Sequence, residues 1–203
     1  MSFSKIYAQI RSKLTCFCLK KHYNNDIIEV IFYSRRVEVE YMAFSKRVAI
    51  VMGSKSDFDI IEKAVSVLDS FGAEHEIHIL SAHRTPDEVA EFAKDAVGNN
   101  FGVIIAAAGK SAALPGAIAA YTTLPVIGLP IKSSFLDGLD SLLSMTQMPA
   151  GIPVATVGTN AAENAALLAV QIIAVADAKA RVALEKYKVS MRKKVLSDNE
   201  SIK

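Results

Sequence analysis

Past position 18 the chain contains no cysteine. Its two thiols, Cys16 and Cys18, both fall within the first 41 of 203 residues. No disulfide framework can be built from them, and a reducing compartment, the cytoplasm, is the default. With His22 they make three candidate zinc ligands and no fourth, so incidental thiols are preferred to a metal site and no metal is expected. Long apolar runs are missing too. The nearest case, residues 161–176, is interrupted by Glu163, Asn164 and Gln171 and reads as a buried helix, not a membrane span. Nor does one sign of charge prevail. Lys and Arg number 23 against 21 Asp and Glu, and from Met42 onward sixteen face seventeen. Nothing in that balance suggests the basic surface of a nucleic-acid-binding protein, and no nucleic-acid partner is expected.

What the chain does have is apolar material, 51% of its residues, enough for a sizeable core in one domain with an extension. Residues 1–41 differ from the rest. They hold seven of the fifteen aromatics, and their apolar positions follow no sustained period, although Ile27–Tyr33 has strand-like composition. No acidic residue precedes Asp26, as in a transit peptide, but that stretch has a single Arg and no compact apolar segment of the secretory kind. Met42-Ala-Phe-Ser-Lys-Arg-Val-Ala-Ile-Val reads like the natural beginning of a protein. The expectation is therefore an extension or misassigned start over 1–41, a working domain over 42–178, and a C-terminal helix and tail over 179–203.

From there the texture is regular. Arg47–Met52 is a strand ending in Gly-Ser-Lys-Ser-Asp. Ile61, Ala64, Val65 and Leu68 recur at helical spacing, and Gly72 closes that helix. Glu76–Leu80 is a second strand. Thr85-Pro86-Asp87-Glu88 reads as a capping box with Pro at the first helical position, and Val89, Ala93, Ala96 and Val97 as the apolar face that follows. Val103–Ala107, Val126–Leu129 and Val154–Val157 are further strands, and Pro115–Tyr121 and Asp137–Thr146 are helices. Asn160-Ala-Ala-Glu163 reads as a second capping box before the long Ala/Leu/Ile helix, and a charged helix runs from about Asp177 to Val195. Strand–helix alternation with continuously apolar strands predicts a three-layer, flavodoxin-like α/β fold, its parallel sheet covered by helices on both faces. Ligands of such sheets bind beyond the carboxyl ends of the strands, which singles out loops 53–57, 81–86 and 108–114.

In the first loop, Gly53 allows a sharp turn, Ser54 and Ser56 offer hydroxyls beside free helix N–H groups, and Asp57 can accept from a sugar diol. An ordinary N-cap explains the same residues. In the second, Ser81-Ala-His83-Arg84, an imidazole stands between a strand end and a helix start, next to a planar guanidinium fork suited to phosphate. Histidine has a free pKa of about 6.5, the closest of any side chain to neutrality. A solvated histidine and a surface ion pair are the plain alternatives. His75 and His78 read as structural. The third loop, Ala108-Gly109-Lys110-Ser111, resembles a P-loop only superficially: a Walker motif needs glycine where Ile104 stands, and the helix starts at Pro115, not at the lysine. Small residues here let a planar ring approach the backbone.

Together these loops resemble the N5-carboxyaminoimidazole ribonucleotide mutase family, often called PurE. The matching text includes Val48–Asp57, Ser81–Pro86, Leu114–Gly116, Leu124–Gly128, Gly138–Leu142, Gln147–Pro149, Gly151–Ala155 and Asn164–Ala169. The resemblance spans about residues 46–178. It implies an isomerase of purine biosynthesis that moves the exocyclic carboxyl of N5-carboxyaminoimidazole ribonucleotide to ring C4, giving 4-carboxy-5-aminoimidazole ribonucleotide. It further implies His83 as proton carrier, Ser54, Ser56, Asp57, Ser81, Arg84 and Gly109 as substrate-binding residues, no cofactor, and a closed homo-oligomer, an octamer. There is one departure: where the family reads Ala-His-Leu-Pro-Gly, this chain has Ala113 in place of the histidine. Two other readings stay open at this stage, a carboxylase acting directly on aminoimidazole ribonucleotide and CO2, and a non-catalytic nucleotide-binding module.

Overall fold

The computed structural model describes residues 44–203; the Cys16/Cys18/His22 group, the Ile27–Tyr33 segment and Met42 itself lie outside them. Five strands form one sheet: β1 (Arg47–Met52), β2 (His75–Ile79), β3 (Phe101–Gly109), β4 (Val126–Ile131) and β5 (Ala155–Thr156). All neighbours are parallel, in the order β2-β1-β3-β4-β5. This is the doubly wound, flavodoxin-like order, whose switch point falls between β1 and β3. Among the described residues six α-helices connect the strands or follow them: α1 (Phe58–Phe71), α2 (Pro86–Asp95), α3 (Leu114–Ala119), α4 (Leu139–Thr146), α5 (Ala162–Ala174) and α6 (Ala178–Ser201). Among the described residues no helix is long and apolar enough to cross a membrane.

The two-residue period of the strands sorts the core into two halves. Val48, Ile50 and Met52 of β1, with Val103, Ile105 and Ala107 of β3, face the side covered by α1 and α5. Ala49 and Val51, with Ile104, Ala106 and Ala108, face the side covered by α2 and α3. Every one of these side chains is buried, which is why the strands read as unbroken apolar runs. Gly72, at φ +65, ends α1 and sends its N–H back to Leu68 and Asp69, as the sequence predicts.

The two capping boxes do not form. Thr85 makes no side-chain bond to its helix; its Oγ1 accepts from the Ser81 N–H at 2.9 Å and donates to the Ser81 carbonyl at 3.2 Å. Asn160, at φ +56, does not cap α5 either. Its Oδ1 accepts from the backbone N–H of Lys132 at 2.9 Å, fixing the loop after β4. In each case a tertiary partner claims the side chain that a local pattern assigned to the helix end. Among the described α-helices a side-chain cap does form at Asp177, whose Oδ1 accepts from the N–H groups of Lys179 and Ala180 at 2.8 and 3.1 Å and opens α6.

Smaller corrections follow the same logic. Val97 lies past the end of α2 and is exposed, so that helix buries Val89 and Ala93. β3 and β4 each extend two residues further than their apolar runs, and β5 is only two residues long. The apolar helix α5 is covered within the chain, by α1, the sheet and α6, with Ala165, Ala166, Ala169 and Val170 fully buried. Its composition alone therefore gives no reason for a neighbouring subunit.

Candidate active site

The carboxyl ends of β1 to β4 open into one pocket of about 580 Å³. Each strand contributes the residues that follow it. After β1 come Gly53, Ser54, Ser56 and Asp57. After β2 come Ser81 to Arg84, and at the end of β3 come Ala108 to Ser111. Every residue singled out from the sequence, His83, Ser54, Ser56, Asp57, Ser81, Arg84 and Gly109, lines this one cavity. Ala113 lines it as well, at the position of the departure noted above.

The first loop is a short 3₁₀ turn, Lys55–Asp57, ahead of α1. Ser54 Oγ accepts from the Ser56 hydroxyl at 2.8 Å and from the Ser56 N–H at 3.3 Å. The Ser56 hydroxyl also lies 3.2 Å from Asp57 Oδ1. Burial raises the Asp57 carboxyl above the ordinary value of 3.8, opposed by the Ser56 hydroxyl, a backbone bond at Ser54 and the charge of Arg84. So the cap and the cradle are the same residues: Ser54 caps the turn and its neighbours face the cavity.

Arg84 ties the first loop to the second. Its Nη2 donates to the Gly53 carbonyl at 2.6 Å and its Nε reaches Ser81 Oγ at 3.4 Å. Nη1 is left without a protein partner among the described residues. His83 is exposed on the cavity wall, and the Ser81–Thr85 bonds on either side of it close the loop from within. His75 and His78 sit on edge strand β2, away from the cavity. His75 Nδ1 is 3.1 Å from the Ala73 carbonyl and His78 packs on Phe92 at 4.7 Å, as befits structural histidines.

The sequence reading missed a fourth contribution. Ile131, Lys132 and Ser133 after β4 complete the cavity. The rule about strand ends applies to β4 as well, but ending that strand at Leu129 hid its true exit. The Lys132 ammonium pairs with Asp137 at 3.0 Å, and Ser133 Oγ with both Asp140 oxygens at 2.9 and 3.0 Å. Three consecutive residues, Leu136, Asp137 and Gly138, have positive φ at the turn into α4. A Cβ on Gly138 would meet Lys132 Cα at 2.9 Å, so this turn requires glycine.

No group of three or more His, Cys, Asp or Glu that could hold a metal occurs among the described residues. What converges is an imidazole, guanidinium and ammonium groups, several hydroxyls and a carboxyl. Such a set can hold an anionic, hydroxylated ligand and move a proton at a ring placed between them.

Fold and pocket together define a flavodoxin-like α/β protein whose candidate small-molecule site lies at the switch point of its sheet. Residues 47–194 match the model of the family described as AIR carboxylase, and the chain belongs to that family. It is 52% identical over 148 residues to N5-carboxyaminoimidazole ribonucleotide mutase of Pyrococcus horikoshii, covering 73% of this chain and 84% of that protein. It is also 47% identical over 158 residues to phosphoribosylaminoimidazole carboxylase of Candida albicans, covering 78% of this chain but only 28% of that longer protein. Among solved structures, PurE of Treponema denticola superposes with a TM-score of 0.72 at 33% identity, covering 78% of this chain and 99% of that one.

Proposed function

We infer that this chain is an N5-carboxyaminoimidazole ribonucleotide mutase of purine biosynthesis. It moves the carboxyl group from the exocyclic nitrogen to ring C4 of the same phosphoribosyl-imidazole. The observation that carries this reading is the pocket itself, where loops that resemble the mutases' in sequence meet around His83. Near-full-length likeness to a mutase, set against a match to about a quarter of a carboxylase, favours the mutase over direct carboxylation.

The chemistry divides into two proton-coupled halves. As the N–CO2 bond breaks, protonated His83 supplies a proton to the exocyclic nitrogen, leaving CO2 and a neutral aminoimidazole. The electron-rich C4 then attacks CO2. Neutral His83 takes the proton from C4, which restores the aromatic ring and returns His83 to its starting state. Arg84, Ser54, Ser56 and Ser81 hold the phosphate and ribose end, and Asp57 accepts from the ribose hydroxyls. The small or apolar walls Ala82, Ala108, Ala113, Leu114 and Ile131 keep CO2 close to C4, so proximity supplies much of the rate.

The same reading places the enzyme in the cytoplasm and in a closed homo-oligomer, an octamer in the family's manner. Two apolar surfaces support assembly. Phe135, Leu136, Leu139 and Leu143 cluster in exposed positions on the turn into α4 and its first turns, and Val182, Val189 and Leu196 recur a heptad apart on α6. Light scattering should give a mass several times that of one chain; a stable monomer defeats the assembly. The function is tested by incubating purified full chain with N5-carboxyaminoimidazole ribonucleotide without ATP. Formation of the 4-carboxy product in the presence of a CO2-removing system supports the mutase. Product only from aminoimidazole ribonucleotide and added CO2 supports the carboxylase.

A further inference from the structure

Lys110 is a lysine on backbone that suits glycine. It leaves β3 with φ +57, in the left-handed region that side chains enter at a cost. The Lys110 carbonyl accepts from the Ala112 N–H at 2.8 Å, closing a tight turn that holds the residue at the cavity wall. Two other cations line this cavity, and both are engaged. Arg84 donates to Gly53 at 2.6 Å, and Lys132 pairs with Asp137 at 3.0 Å. Lys110 has no anionic partner among the described residues.

Sheet order fixes where it stands. The loops after β2, β1 and β3 succeed one another across the sheet. The strands that lead to Arg84 and Lys110 therefore lie on either side of β1, two strand spacings apart, on the order of 10 Å, and the Arg84 guanidinium reaches back to the Gly53 carbonyl of the β1 loop. The substrate proposed above is anionic at both ends, with phosphate on the ribose and a carboxylate on the ring side. The cavity likewise has a cationic group on each bank, with Gly53, Ser54, Ser56 and Asp57 of the β1 loop between them to meet the ribose.

We propose that Lys110 is a further substrate-positioning residue, whose ammonium holds the migrating carboxyl group while the Arg84 bank takes the phosphate. This rests on the mutase reading above. A lysine suits the task. It is a point charge on a flexible stem, able to follow a carboxylate from the exocyclic nitrogen to the adjacent ring carbon without the fixed geometry of a guanidinium fork.

The test compares two ligands that differ only in the carboxyl group, 4-carboxy-5-aminoimidazole ribonucleotide and 5-aminoimidazole ribonucleotide. Each is titrated calorimetrically into the full chain and into Lys110→Gln, Lys110→Arg and Lys110→Gly. Losing one charge-assisted contact should weaken the carboxylated ligand by roughly tenfold or more in Lys110→Gln while leaving the other ligand unchanged. Lys110→Arg should keep most of the affinity. Lys110→Gly, which suits the left-handed turn, should show the same selective loss and so excludes a misfolded loop as the cause. Equal losses for both ligands would make Lys110 a phosphate contact and overturn the proposal, as would no loss for either. If the unaltered chain binds neither ribonucleotide, the mutase reading itself fails, an outcome distinct from Lys110 being indifferent.

Discussion

The Arg84 guanidinium donates to the Gly53 carbonyl at 2.6 Å, joining the loop after β2 to the loop after β1 across 31 positions of sequence. A residue assigned to the ligand is thereby also a brace for the site, and substitutions here separate the two roles. Arg84→Ala removes both the brace and the proposed phosphate contact and should weaken binding of a phosphorylated ribonucleotide by roughly ten- to a hundredfold. Arg84→Lys keeps the charge and loses the fork, so an intermediate affinity by titration is expected. Unchanged affinity in Arg84→Ala would remove the residue from phosphate binding.

His83 carries no structural burden that would confuse its test. It is exposed on the cavity wall, and the loop around it is closed by Ser81 and Thr85. Replacing it by Asn should leave ligand affinity and thermal midpoint near their original values while lowering turnover by roughly a hundred- to ten-thousandfold. Near-normal turnover would assign the proton transfers elsewhere.

Asp177 gives a pH prediction. Its Oδ2 accepts from the Ser45 N–H at 2.7 Å while its Oδ1 caps α6. The Ser45 backbone bond is the largest cause that lowers its pKa from 3.8 to about 2; burial opposes it and the cap bonds reinforce it. A carboxyl whose folded pKa is depressed stabilises the fold above its unfolded value and loses that contribution as pH falls through the folded one. The effect is about 2 kcal/mol, present above roughly pH 4 and vanishing toward pH 2. In urea unfolding, Asp177→Ala should therefore be less stable than the original chain by about that amount at pH 7. The gap should narrow as pH falls from 4 toward 2. A gap that ignores pH would mean that the ionised form is not what matters.

The boundary near Met42 is tested by deletion. We propose that the working unit is Met42–Lys203, since the family match begins at residue 47 and the composition changes just before it. A chain beginning at Met42 should equal the longer one in activity, thermal midpoint and mass by light scattering. A loss of several degrees, or dissociation, would instead make residues 1–41 an arm that the assembly uses.

Strands and helices were legible because their signal is local. Fully buried parallel strands must be apolar throughout, and Gly53, Gly72 and Pro86 punctuate them where backbone geometry demands. The candidate site was legible for a related reason: strand ends project their loops to one edge, so three short motifs line one cavity. What failed depended on distant partners. Nothing beside Thr85 or Asn160 announces that Ser81 and Lys132 will claim their side chains. The sequence reading ended β4 at Leu129, one residue before Pro130. The Pro130 carbonyl accepts from Asn160, on the side away from β3, so the missing N–H interrupts no bond to that strand. The exit residues Lys132 and Ser133 went unseen with it.

The pair of bonds between Thr85 and Ser81 has an entropic consequence. Because Oγ1 both accepts from and donates to the Ser81 backbone, the turn bearing His83 and Arg84 is closed by its own chain. The freedom of those residues is given up when the polypeptide folds, and little of it remains to be lost when a ligand arrives. Backbone held this way leaves the free energy of binding to act on the ligand instead of on the loop.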